Sequence, residues 1–210
     1  MKSLPGQRHR FSAALLGWLV CHKPESFTKL HAQNTMETTM ETTVETATFY
    51  PLAVGNSWTY QMSNGDGFTN QVTAANGTNA FTMVNSILNI DQHIRKEGEL
   101  YLADNFEAGN FQPLLRDDVK IGDTWEIRYK ANGFENILVM VVKETGASKE
   151  VAGTLYDDVM MIEGESKMLM NGNLIALNFF TQYFYARGIG LILTTSSVGD
   201  SMALVSCQLC

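Results

Sequence analysis

From Ser57 onward, apolar and polar residues alternate with a period of two. Trp58, Tyr60 and Met62 interleave with Ser57, Thr59, Gln61 and Ser63, the pattern of a strand with one buried and one solvated face. Trp125, Ile127 and Tyr129 interleave with Thr124, Glu126, Arg128 and Lys130 in the same way. Further strands are expected over 68–74, 80–88, 99–103, 136–143, 159–163, 166–170, 174–185, 191–195 and 203–207. After Phe49 no long capped 3.6-residue pattern occurs, and residues 87–96 are the one place left for a short helix. Four Asn-Gly pairs, at 64–65, 76–77, 132–133 and 171–172, separate these runs; both residue types tolerate the positive φ of tight hairpin turns. The pattern predicts an all-β domain, or β with one or two short helices: an antiparallel sheet curved into a half-barrel, barrel or sandwich.

One segment is echoed. Val54-Gly55-Asn56-Ser57-Trp58-Thr59-Tyr60 corresponds to Ile121-Gly122-Asp123-Thr124-Trp125-Glu126-Ile127. In each, Gly with Asn or Asp makes a turn, Ser or Thr opens the strand, and Trp58 or Trp125 anchors it. One turn-plus-anchor device used twice and a true duplication both fit, since the flanks diverge.

Upstream the pattern is different. Lys2, Arg8 and Arg10 precede the apolar run Phe11–Val20, the order of a secretory leader, and ten residues are too short for a membrane-spanning helix. No small-residue site precedes Cys21, so a start at Met36 in the cytoplasm is the alternative. Residues 36–47 read METT, METT, VETA, a low-complexity linker. The chain therefore divides into a leader or signal segment (1–34), a linker (35–48) and a single β-domain (49–210). Residues 49–210 hold ten Lys/Arg against eighteen Asp/Glu, an acidic body that offers no footprint for nucleic acid.

The chemistry available to this domain is sparse. His9, His22 and His31 lie in the leader, so His93 is the domain's one histidine and no histidine-based metal site or cofactor is expected. No Gly-x-Ser-x-Gly elbow accompanies His93. Gly188-Ile189-Gly190 leads into an apolar run rather than a helix, so Gly188 and Gly190 read as a turn or bulge, not a phosphate loop. Cys207 and Cys210 lack further metal ligands and read as inert or paired thiols. Glu163 and Glu165 share one strand face; with Asp91 and His93 they are the acid/base candidates of an alternative reading, a small β-barrel hydrolase or isomerase.

Two motifs carry a resemblance. Tyr50 to Tyr60 reads Tyr-Pro-Leu-x-x-Gly-Asn-x-Trp-x-Tyr, and Tyr183 to Ile192 reads YFYARGIGLI. With the Gly153 to Val159 step between them, the chain resembles a family of bacterial envelope β-domains, secreted or lipoprotein-type and largely uncharacterised. It is similar, more loosely, to lipoprotein-carrier domains. The resemblance implies a fold and a periplasmic or extracellular location rather than an activity.

The positive functional cue is an excess of apolar residues. Ile137–Val142 is apolar on both faces, as are stretches around Leu174, Phe180 and Leu191. Such strands need cover on both sides or enclose a ligand. Met140, Met160, Met168, Met170, Phe180 and Phe184 are the pocket candidates, methionine being pliable enough for either role. The sequence thus points to a non-enzymatic binding or interaction module, with ordinary core as the first reading of these strands and a pocket for a lipid or other apolar small molecule as the second.

Overall fold

The computed structural model describes residues 47–131 and 133–210. The leader, most of the linker and Asn132 lie outside the described residues. Twelve strands follow one another: β1 (Ser57–Met62), β2 (Gly67–Ala75), β3 (Ala80–Asn85), β4 (Asp91–Glu97), β5 (Leu100–Ala103), β6 (Gln112–Arg116), β7 (Thr124–Ala131), β8 (Phe134–Val151), β9 (Thr154–Met170), β10 (Asn173–Ala186), β11 (Gly190–Ser196) and β12 (Ser201–Gln208). They form one antiparallel sheet in the order β6-β5-β4-β3-β2-β1-β12-β11-β10-β9-β8-β7. Two six-stranded meanders are thereby joined along β1 and β12. The sheet curls until its edges β6 and β7 meet, giving a nearly closed barrel. Across that seam the Gln112 side chain replaces a ladder: its amide donates to the Arg128 carbonyl and its oxygen accepts from the Arg128 N–H.

Three features depart from the sequence pattern. Residues 87–96 are a turn followed by β4, not a helix. Asn85 Oδ1 accepts from the amides of both Ile87 and Leu88 at 3.0 Å, and Asn89 takes φ 49°, so the apolar residues sit in a turn stapled by an asparagine. The runs 159–163 and 166–170 form one strand, continuous through Gly164, where a Cβ would stand 2.9 Å from Leu138 and 3.0 Å from Met140. β6 contains Pro113, placed at an irregularity beside Leu102 on the edge strand, where a missing N–H is tolerated. Of the Asn-Gly pairs, Asn171-Gly172 has both residues at positive φ (52° and 79°). At 64–65 and 76–77 only the glycine does; there Asn64 accepts from the Asp66 amide and Asn76 donates to Thr82.

The echoed segments form the same device. Gly55 (φ 97°) donates its N–H to the Val72 carbonyl, and the Val72 N–H donates back to the Asn56 carbonyl. Gly122 (φ 94°) and Asp123 make the equivalent pair with Val142. Each meander thus opens on one turn that fixes the register of its first two strands.

The two sequence motifs lock onto each other. The Trp58 indole N–H donates to the Ile189 carbonyl at 3.0 Å, and the Tyr60 hydroxyl donates to the Leu191 carbonyl at 2.7 Å. Gly190 admits the indole, because a Cβ there would lie 3.1 Å from Trp58 Nε1. The segment before β1 seals this end of the barrel. Phe49 and Tyr50 are buried, Tyr50 packing against Trp58 and Tyr101. The Phe49 amide donates to Asp117, Arg187 lies over the Phe49 ring, and Gly188 donates to the Thr48 carbonyl. Buried Asn56 donates to the Pro51 carbonyl and accepts from the Cys210 amide, which fastens the C-terminus to the same end. Cys207 is buried beside Trp58 on β12 and Cys210 is exposed.

Candidate functional site

The other end is built differently. Strands β7 to β10 run past the rim defined by the β1–β2 and β11–β12 turns, so that residues 126–131, 134–139 and 165–180 form a four-stranded flap. Register partners share a face, which sorts the flap's side chains. Tyr129, Phe134, Asn136, Met168, Met170 and Ile175 continue the inner face of the barrel. Arg128, Lys130, Glu135, Glu165 and Lys167 stand on the outer face, with ion pairs Arg128–Glu135 and Lys167–Glu165. The inner face of the flap is therefore an apolar shelf apart from Asn136, while its outer face mixes these charges with Ile137, Leu169 and Leu174.

Opposite the flap the rim is apolar too. Ile87, Leu88 and Ile90 project from the β3–β4 turn and Val198 from the β11–β12 turn. Phe106, from the β5–β6 loop, stacks on Tyr129 with ring centroids 4.4 Å apart. With Phe134, Met170, Leu174, Leu177 and Phe180, ten of the fourteen exposed large hydrophobics lie at this end. Single exposed apolar residues are ordinary, whereas a concentration of them marks an interaction site. Beneath the rim the inner face turns polar but uncharged, with Asn70, Asn85, Gln92, Thr181 and Thr194 all buried, and Ser166 buried on the flap beside them. Burial raises the Tyr183 hydroxyl to about 12, so it too stays neutral.

The pocket candidates separate into three places. Met140 and Met160 lie on the inner face and are buried in the core. Met168 and Met170 belong to the shelf. Phe184 and Phe180 stand on the outer face, Phe184 beneath the Lys149 ammonium at 4.3 Å. The acid/base candidates are not assembled. Glu163 and Glu165 share the outer face of β9 and pair with Lys143 and Lys167. Asp91 and His93 lie on β4, elsewhere on the outer wall.

His93 does have a partner that the pattern did not single out. Asp104, buried after β5, accepts from the His93 and Gly109 amides and lies 2.9 Å from the His93 ring. Burial alone would push this carboxyl up, but the hydrogen bonds outweigh it and hold Asp104 below the ordinary carboxylate range. Its bonds close the 104–109 loop that carries Phe106. Among the described residues no cluster of three or more His, Cys, Asp or Glu has metal-binding spacing.

Fold and site together define a class: a twelve-stranded antiparallel near-barrel, plugged at one end and apolar at the other. Two solved structures share this fold. One is a candidate lipoprotein from Parabacteroides distasonis, at 11 % identity and a TM-score of 0.52; the other is a candidate exported protein with a YmcC-like fold from Bacteroides fragilis, at 11 % and 0.51. Each comparison covers 78 % of this chain and 100 % of the other. No protein-family model matches the sequence, and no curated protein is similar to it at a significant level.

Proposed function

We propose that this protein is a non-enzymatic binding module of the bacterial envelope that holds a lipophilic ligand at the open end of its barrel. The observation that carries the reading is the continuity of one inner face from the core, past the rim, onto the Tyr129, Phe134, Met168 and Met170 shelf. An apolar surface of this kind gains on the order of 25 cal/mol for each Å² of apolar area that a ligand covers. Methionines on the shelf accommodate chains of differing shape. A periplasmic or extracellular location is supported by the leader-like N-terminus and by fold neighbours described as a candidate lipoprotein and a candidate exported protein. An enzymatic reading lacks comparable support, because the acid/base candidates stand apart on the outer wall, and Glu163, Glu165 and His93 are already paired.

The test is native mass spectrometry of the purified full chain, with solvent extraction of what co-purifies, alongside titration with an apolar fluorescent probe. A retained lipid, or a saturable probe response that is lost in the Phe134→Asp, Met170→Asp double variant, supports the module. A ligand-free mass together with no probe response overturns it.

A further inference from the structure

Resting on that reading of the mouth, we infer that the ligand is a neutral amphiphile: an apolar chain bearing an uncharged hydrogen-bonding head such as a hydroxyl, ester or amide. Just inside the rim, five buried polar side chains, Asn70, Asn85, Gln92, Thr181 and Thr194, occupy the inner face of five different strands, and Ser166 and Asn136 continue them onto the flap. None is ionisable. The charged strand residues at the same end, including Asp91, Arg128, Glu135, Glu163, Glu165 and Lys167, point outward by the same register. A carboxylate or ammonium head entering this belt would be stripped of water without a counter-charge, which is expensive. A neutral head exchanges its water for amide and hydroxyl groups at little net cost.

Two members of the belt lack a partner for a polar atom. Gln92, 6 % exposed, leaves Oε1 unbonded, and Thr194, 5 % exposed, leaves its hydroxyl oxygen unbonded among the described residues. Both sit on the inner face near the mouth. Buried polar atoms are rarely left so, and each is a place where an uncharged donor or hydroxyl on a ligand would be satisfied. Met202, the register neighbour of Thr194, and Met168 on the shelf are the flexible side chains a ligand would displace to reach them. The cations at this end among the described residues, Arg95 over Phe111 and Arg128, Lys130 and Lys167 on the flap, stand on the outer face, so a fatty acid anion finds no cation on the inner belt to receive it.

The full chain is delipidated and titrated, at about pH 8 so that carboxyls are ionised, with a monoacylglycerol, the fatty acid and the alkyltrimethylammonium of equal chain length. The monoacylglycerol is expected to bind at least about tenfold tighter than either ion. Equal or tighter binding of either ion overturns the inference while leaving the module intact; no binding by any of the three, with no response to the apolar probe, overturns both. Thr194→Val is isosteric and removes an unbonded hydroxyl, so the fold should melt no lower. It should weaken the monoacylglycerol by about fivefold and leave the apolar probe unchanged. Gln92→Met tests the other side of the belt; it also removes the bond that the Gln92 amide donates to Asn105, so its binding is compared at temperatures where the variant is folded. Unchanged monoacylglycerol affinity in both variants, with the fold retained, overturns the assignment.

Discussion

The Tyr60 hydroxyl is fully buried and its one donor bond, to the Leu191 carbonyl at 2.7 Å, joins residues 131 positions apart. Removing it leaves that carbonyl without its donor in a site water does not reach. Tyr60→Phe is therefore expected to cost about 1–3 kcal/mol in urea unfolding, although it deletes a single oxygen. Ala152 presents the opposite case. It holds φ 50° beside Gly153 in the tight turn between β8 and β9, a conformation that costs an ordinary side chain on the order of 1 kcal/mol. Asparagine tolerates it and favours this turn, so Ala152→Asn should raise stability by about 0.5–1 kcal/mol with ligand binding unchanged. Asp104 sets a dependence on acid. Its carboxyl is held below its unfolded value, so the stability it contributes is complete above the ordinary carboxylate range and is lost as pH falls through the lowered folded value. Unfolding curves of the native protein and Asp104→Asn should differ by about 1.5–3 kcal/mol at neutral pH and converge below that value; a constant difference across the titration would show that the charge is irrelevant.

At the scale of the element, the closure of the sheet is asymmetric. β1 is joined to β12 by a ladder, whereas β6 and β7, the last strand of one meander and the first of the other, are joined by the Gln112 side chain and by the Phe106–Tyr129 stack. The Arg128 amide depends on Gln112 Oε1 for its bond across the seam. Gln112→Ala should therefore speed hydrogen exchange at Arg128 while amides of the β1–β12 ladder keep their protection. How far these elements were legible follows the same physics. Strands with one wet face, such as β1 and β7, announce themselves by alternation. β4 did not, because Ile87, Leu88 and Ile90 place three apolar residues in an exposed turn just ahead of it, blurring the period. β6 is five residues with a proline, and its strand character comes from its neighbours. Glu163 and Glu165 made β9 look interrupted, while the packing of Leu138 and Met140 over Gly164 makes it continuous. The site was legible only as surplus. Met168 and Phe180 are both apolar in a run that alternates poorly, and cross-strand register alone puts the first inside and the second outside.

The molecule as a whole has a sealed end and an open end, and the two should be separable by mutation. At the sealed end Tyr50 fills the base of the barrel, 2 % exposed, between Trp58 and Tyr101. Removing the ring leaves a cavity. At the open end Phe134 and Met170 are 47 % and 40 % exposed, so they contribute little to folding, yet they form the part of the shelf furthest from the core. Tyr50→Ala is expected to lose about 3–5 kcal/mol while the protein that remains folded binds an apolar probe with native affinity. The Phe134→Asp, Met170→Asp variant should unfold within about 0.5 kcal/mol of the native protein and lose the probe. Isothermal titration and urea unfolding on the same three proteins make the comparison. If Tyr50→Ala abolishes binding in the folded fraction, the ligand enters from the sealed end or spans the barrel; if the double variant binds normally, the exposed shelf is not where the ligand rests.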